Sequence, residues 1–219
     1  MQNKKIAKPS YTKDVVSFLG LGFQDYLAAR VLINSDLLLQ GAICGSTSIE
    51  KYFKAILAFR GNKSEGHLKA AHLRAVKNFD PKLYASLNKS FLLFLQKCYK
   101  LRYLDDLAPN FNLLVTARPM LAELDFTVFQ IENRFEINSG GKRLVIPYAA
   151  ALKAKEPKLY INNYILNGVD KNAFIANQEC LIYEMRLDPQ KGLIEATYKT
   201  EKMQHDGNFL AEGLKPKSL

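Results

Sequence analysis

Between Lys51 and Arg102 the sequence carries twelve basic residues and only two acidic ones, Glu65 and Asp80. This window has a net charge of +10, as much as the whole chain. Such an excess attracts phosphate, from nucleotide or RNA, by long-range steering and counterion release. Lysines spread over exposed helix faces also serve solubility alone, and without interleaved surface aromatics they read little base sequence. The other chemistry-bearing groupings are sparser. Asp105-Asp106 is a hard-cation pair by type, but adjacent residues on a helix point apart. His67 and His72 are off the i,i+4 spacing that would set two zinc ligands on one face, and His205-Asp206 falls in a polar tail. Glu50 and Lys54 form an i,i+4 pair in the favourable order, which supports a helix as readily as it binds a ligand. Ser46 and Ser48 lack a G-x-S-x-G turn, and no histidine is placed by sequence to serve them, so a hydrolase triad is unsupported. Neither a P-loop nor a G-x-G-x-x-G occurs.

The elements that must position these groups follow from apolar spacing. Up to about residue 136 apolar residues recur in one-faced helical stripes, such as Ile49, Tyr52, Phe53 and Ile56, or Leu121, Leu124, Val128, Ile131 and Phe135. A stripe of that kind packs a helix on other helices. Break signals place helices near 14–34, 39–60, 67–78, 81–105 and 117–136. Asn34-Ser35-Asp36 ends the first, Gly61 is placed for a left-handed helix end, and Asp80-Pro81 is a cap followed by a first-turn proline. Beyond Ser139-Gly140-Gly141 the period falls to two. Residues 181–187 and 194–198 alternate around Asp188-Pro189-Gln190-Lys191-Gly192, which predicts a hairpin. Arg143–Tyr148 and Leu159–Leu166 are further strand candidates. The expected fold class is α+β, mainly α: an up-and-down bundle of four to five helices over 12–136, a small antiparallel β extension over 137–201 packed on it, and a loose polar tail over 202–219. The tyrosines of the extension (148, 160, 164, 183 and 198) suit a contact surface as well as a core.

Composition sets the outer bounds. The chain has 219 residues, 48% of them apolar and 24% charged, which excludes a chain disordered throughout. Its longest apolar runs without Gly, such as Phe91–Leu95, are five residues, far short of the ~20 that span a bilayer. Lys4, Lys5, Lys8 and Lys13 precede the semi-apolar Val15–Phe23, but Asp14 interrupts, Gln24-Asp25 follows and no small-x-small site appears, so no export signal is expected. Cys44, Cys98 and Cys180 are odd in number and form no C-x-x-C, which argues against a disulfide framework or zinc cluster and for a cytoplasmic protein.

Residues 25–73 resemble the HEPN superfamily of helical bundles. The resemblance rests on Tyr26–Leu32, then Gly41–Leu57 with its Glu50-Lys51-x-x-Lys54-Ala55 core, then Gly66-His67-Leu68-Lys69, with Arg102-Tyr103 similar to the family's Arg-Tyr position. It spans about residues 12–136 and implies a homodimeric bundle that binds nucleotide, often beside a nucleotidyltransferase or within a toxin–antitoxin pair. Some members are metal-independent ribonucleases whose Arg and His lie four to six residues apart late in the bundle. There His shuttles the proton of the RNA 2′-hydroxyl and Arg stabilises charge on phosphorus. This sequence departs from that pattern, since Arg102 is followed by Asp105 and Asp106 and no histidine. The literal spacing recurs at Arg60 and His67, across the loop between the second and third helices, and these are the alternative catalytic pair. The leading expectation is a non-enzymatic binder with no cofactor or metal, presenting Lys51, Lys54, His67, Lys69 and Arg102 to phosphate. The other is an interaction module acting through the β extension.

Overall fold

A computed structural model describes residues 5–6, 11–63, 66–103, 105, 107–139, 142–176 and 178–210. Helices α1 (Thr12–Asn34) and α2 (Leu38–Ala58) form the central antiparallel hairpin. Their contact is close because Gly41 has no side chain: a Cβ there would meet Ile33 Cγ1 at 2.6 Å. α1 ends at the Asn34-Ser35-Asp36 break, with Asp36 at φ 65°. Gly61, at φ 74°, follows α2; a Cβ there would strike the Tyr11 ring at 2.5 Å. α1 is long and apolar enough to cross a membrane by length and composition. In the fold it is a core helix, burying Val15, Leu19, Phe23, Tyr26, Ala29 and Ile33, so the structure is compatible with a soluble protein.

Two expected helices are corrected. The third, α3, begins at Ala70 rather than at 67 (Ala70–Phe79). The preceding residues are held in a loop, with Leu68 at φ 36° and its carbonyl accepting from the Gln96 amide. The long segment 81–105 is two helices, α4 (Pro81–Ser86) and α5 (Lys89–Lys100). Asp80 caps the first, its Oδ1 accepting from the N–H groups of Lys82 and Leu83 at 2.9 and 3.0 Å. Leu87 and Asn88 are extended, and Asn88 Oδ1 caps α5 by accepting from Phe91 N–H at 3.0 Å. A cap was available inside an unbroken apolar stripe, and the chain used it.

α6 (Ala117–Glu132) completes the bundle. Its Asp125 accepts from Arg30 Nη1 and, at 2.7 Å, from Tyr26 O–H, all three side chains being buried. Arg30 also donates from Nε to Lys158 O at 3.0 Å and from Nη2 to Ile161 O, tying the bundle to the C-terminal segment. A buried arginine persists because every polar contact is met by an acceptor.

The C-terminal part is less β-rich than expected. Its hairpin is present as β6 (Cys180–Asp188) and β7 (Gly192–Thr200). Gly192 takes φ 76°, and Asp188 Oδ1 accepts from Gln190 and Lys191 N–H in the turn. β6 also pairs antiparallel with β2 (Asn112–Thr116), a strand of the bundle segment that the sequence reading missed, in the order β2-β6-β7. Short pairs join β1 (Lys5–Ile6) to β3 (Phe135–Glu136) and β4 (Asn138–Ser139) to β5 (Lys142–Arg143). The strand candidates at 143–148 and 159–166 are instead largely α7 (Pro147–Ala154), α8 (Pro157–Tyr160) and turns, followed by α9 (Lys171–Ala176). Pro147 and Pro157 stand in the first turns, where a missing N–H costs nothing. The tail is not loose as far as residue 210. Phe209 packs on Phe91 and Phe94 (centroids 4.9 and 5.8 Å), and Asn88 donates to Gly207 O at 2.9 Å. Residues 211–219 lie outside the described residues. One apolar core runs continuously from Val15 to Phe209.

Candidate phosphate-binding edge

α2 places Ser46 and Glu50 one turn apart on the face that meets the loop before α3. Gly66, at φ 81°, precedes His67, whose ring enters between α2 and α5. Its Nδ1 bonds Glu50 Oε2, and its Nε2 lies 2.7 Å from Ser46 Oγ. The Ser46 hydroxyl is itself 2.6 Å from Leu95 O. A carbonyl only accepts, so the single hydroxyl hydrogen goes to Leu95 and Ser46 Oγ accepts from Nε2–H. With Nδ1 on the Glu50 carboxylate, both ring nitrogens are engaged in hydrogen bonds. Burial opposes ionisation of Glu50, but the hydrogen bonds and charges of His67 and Lys54 outweigh it and hold the carboxyl down to about 2. Lys54 Nζ lies 2.5 Å from Glu50 Oε1.

Ser46, His67 and Glu50 thus stand in the order of a nucleophile, a base and an orienting carboxylate, an arrangement not legible in the sequence. It is not a hydrolytic triad. Ser46 is fully buried, its hydrogen is spent on a main-chain carbonyl, and no strand-to-helix turn projects it. The cluster fastens the loop.

The outer face of this clamp is aromatic and cationic. The His67 ring stacks on Tyr99 at 3.6 Å and 8°. The Arg102 guanidinium lies 5.0 Å from the Tyr99 ring and 5.8 Å from that of Tyr103, which is 55% exposed. Lys100 and Lys69 are exposed beside these residues in the chain. Below the clamp, Lys54 and Lys63 line a cavity of about 320 Å³ with Asp14, its apolar wall made of Phe18, Leu57 and Ala58.

The expected site residues therefore divide. His67 and Arg102 both lie against one residue, Tyr99, and Lys69 lies in the same loop as His67. Lys54 belongs to the cluster but is paired to Glu50. Lys51 is drawn away to Asp25 at 2.7 Å. Arg60 and His67 have different partners, for Arg60 donates to Asn78 O at the end of α3. His72 lies near enough to feel the charges of Glu50, Lys54 and His67, but its hydrogen bond is a different one, Nδ1 accepting from Lys69 N–H at 3.0 Å. Of the aspartate pair, Asp105 is exposed and Asp106 lies outside the described residues, as does Glu65. His205 packs on Phe209 and accepts from Gly207 N–H. Sequence reasoning missed Tyr99 and singled out Tyr103 only as part of the Arg102-Tyr103 resemblance, though their spacing around Arg102 was the available signal. No family model, no curated protein and no solved structure matches the chain.

Proposed function

We propose that the protein is a cytoplasmic, non-enzymatic binder of nucleotide or RNA phosphate, as its HEPN-like segment implies, and that the binding edge is formed by the C-terminal end of α5 and the loop before α3. The observation that supports this most is the Arg102 guanidinium lying 5.0 and 5.8 Å from the rings of Tyr99 and the exposed Tyr103. Arginine beside an exposed aromatic gives a base a face to stack on and its phosphate a charge to meet. Lys69 and Lys100 add charge that no carboxylate neutralises among the described residues. A ribonuclease with a rebuilt pair is the second reading, favoured by the meeting of His67 and Arg102 at Tyr99. Both imidazole nitrogens are already engaged, however, and a general base needs one free.

Fluorescence anisotropy with single-stranded RNA over a salt series tests the reading. Each phosphate contact on a single strand adds about 0.7 to the slope of log affinity against log salt, so four contacts give roughly −3. Lys100→Glu with Arg102→Glu should reduce that slope by about 1.4, and Tyr103→Ala should weaken binding about tenfold through lost stacking. Lys51→Glu and Lys54→Glu are poor probes, because each sets a carboxylate against Asp25 or Glu50. Affinity that is flat with salt returns the charge to a solvated surface, and cleavage of the RNA that disappears in His67→Ala establishes the second reading.

A further inference from the structure

The cavity of about 320 Å³ below the clamp is built by two helix faces and the turn that follows the second. Asp14 and Phe18 stand one turn apart on α1, and Lys54, Leu57 and Ala58 lie within one turn on α2, so each set shares a face. Gly61, at φ 74°, turns the chain at the end of α2, and Asn62 and Lys63 then reach the same cavity. The groups that line it are open to a ligand. Phe18 is half-buried, and Asp14, Asn62 and Lys63 are exposed.

The charges around this cavity do not cancel one another. Lys54 is taken by Glu50 at 2.5 Å. Asp14 and Lys63 make no ion pair with each other or with any other group among the described residues, and the Asn62 side-chain amide is unpaired there as well. The lysines of α2 next to them behave differently, since Lys51 has Asp25 and Lys54 has Glu50. A carboxylate and an ammonium thus line one cavity without bonding, with apolar wall beside them.

We propose that this cavity binds a free α-amino acid with an apolar side chain. Its ammonium meets Asp14, its carboxylate meets Lys63 and the Asn62 amide, and its side chain lies on Phe18, Leu57 and Ala58. Three features select that class. A cation alone leaves Lys63 unmatched and an anion alone leaves Asp14 unmatched, whereas a zwitterion meets both. The apolar wall takes the side chain out of water, and the Phe18 ring suits an aromatic one. The volume is at the small end of ligand pockets, which fits one amino acid rather than a longer peptide. Lys54 stays with Glu50, so the site makes no use of the phosphate edge.

Calorimetry with L-phenylalanine on the full chain tests this, against 3-phenylpropionate, which lacks the ammonium, and 2-phenylethylamine, which lacks the carboxylate. L-phenylalanine should saturate the site, with each comparator about fivefold weaker through the loss of one ion pair at a watery rim. Glycine, without a side chain for the wall, should not bind at the same concentrations. Two variants separate the ends of the ligand. Asp14→Asn should weaken L-phenylalanine about fivefold and leave 3-phenylpropionate unchanged, while Lys63→Gln should weaken L-phenylalanine equally and leave 2-phenylethylamine unchanged. Both side chains are exposed, so both variants keep the core and the melting temperature of the native protein. Binding of either comparator as tight as that of L-phenylalanine, variants that change nothing, or no saturable binding of L-phenylalanine at millimolar concentration overturns the proposal. No RNA enters the measurement, so its failure and that of the phosphate reading are told apart.

Discussion

Asp125 and Glu132 stand seven residues apart on one face of α6, yet they live under different rules. Asp125 Oδ1 accepts from Arg30 and Tyr26, which opposes the burial that still raises its carboxyl, while its Oδ2 has no hydrogen-bond partner. Glu132 accepts only from Tyr52, and burial raises its carboxyl from the usual value of 4.5 to about 8. The sign of the consequence is fixed. Below about pH 4.5 the group is neutral folded and unfolded. From there to about pH 8 the unfolded chain gives up the proton and the folded chain keeps it, so stability falls as pH rises, by on the order of 5 kcal/mol. Glu132→Gln removes that slope. Urea midpoints for the variant should gain on the native protein steadily from pH 5 to pH 8 and no further, and parallel pH profiles would sink the assignment. Neither residue announced itself in the sequence. The helical spacing of Leu121, Leu124, Val128 and Ile131 marks the buried face of α6, but spacing alone cannot say that a carboxylate beside that stripe is buried with it.

At the scale of elements, local chemistry was readable wherever a single residue type decides a break. Asn34-Ser35-Asp36, Gly61, Asp80-Pro81 and the Asp188–Gly192 turn all act where expected. Breaks that compete with an apolar stripe were not readable. Leu83, Leu87, Phe91, Phe94, Leu95 and Cys98 are all buried, so the spacing holds although the helix does not. Asn88 settles the matter by capping α5 and, through its amide, holding Gly207. Asn88→Ala should therefore cost more than an ordinary cap, about 2 kcal/mol in chemical denaturation. It should also release the 205–210 segment, seen as faster amide exchange there. A loss under 0.5 kcal/mol with unchanged exchange would show that the stripe alone keeps α4 and α5 apart. The missed strand β2 has the same origin: five residues after a Pro-Asn turn carry too little pattern, and only β6, far along the chain, gives them a partner. The clamp was illegible for a related reason, since Ser46, Glu50, His67 and Tyr99 come from three separate elements and only their packing makes a site.

At the scale of the molecule, fold class followed from the change of period near residue 137, and assembly is where the remaining surface speaks. The outward stripe of α1 passes through Leu21, Ala28 and Val31, with Leu21 46% and Val31 39% exposed, and Leu37 beside it at the turn into α2 is 48% exposed. Positions 21, 28 and 31 share a helix face, with the exposed Gln24 between the first two. A stripe of this kind on a bundle suits a second helix laid along it. A two-fold axis would bring α1 against α1 as a self-complementary surface. The protein should therefore scatter light at micromolar concentration as twice its 24.8 kDa chain mass. Leu21→Glu with Val31→Glu should halve that mass while leaving the melting transition of the chain cooperative, because both side chains already face water in the single bundle. A native protein that stays monomeric at that concentration, or a double variant that stays dimeric, moves the interface away from α1. The location matters for the phosphate edge as well. His67, Tyr99 and Arg102 approach α2 and α5, whereas Leu21 and Val31 lie on the outer side of α1, so monomerisation should leave the salt dependence of RNA binding per chain unchanged.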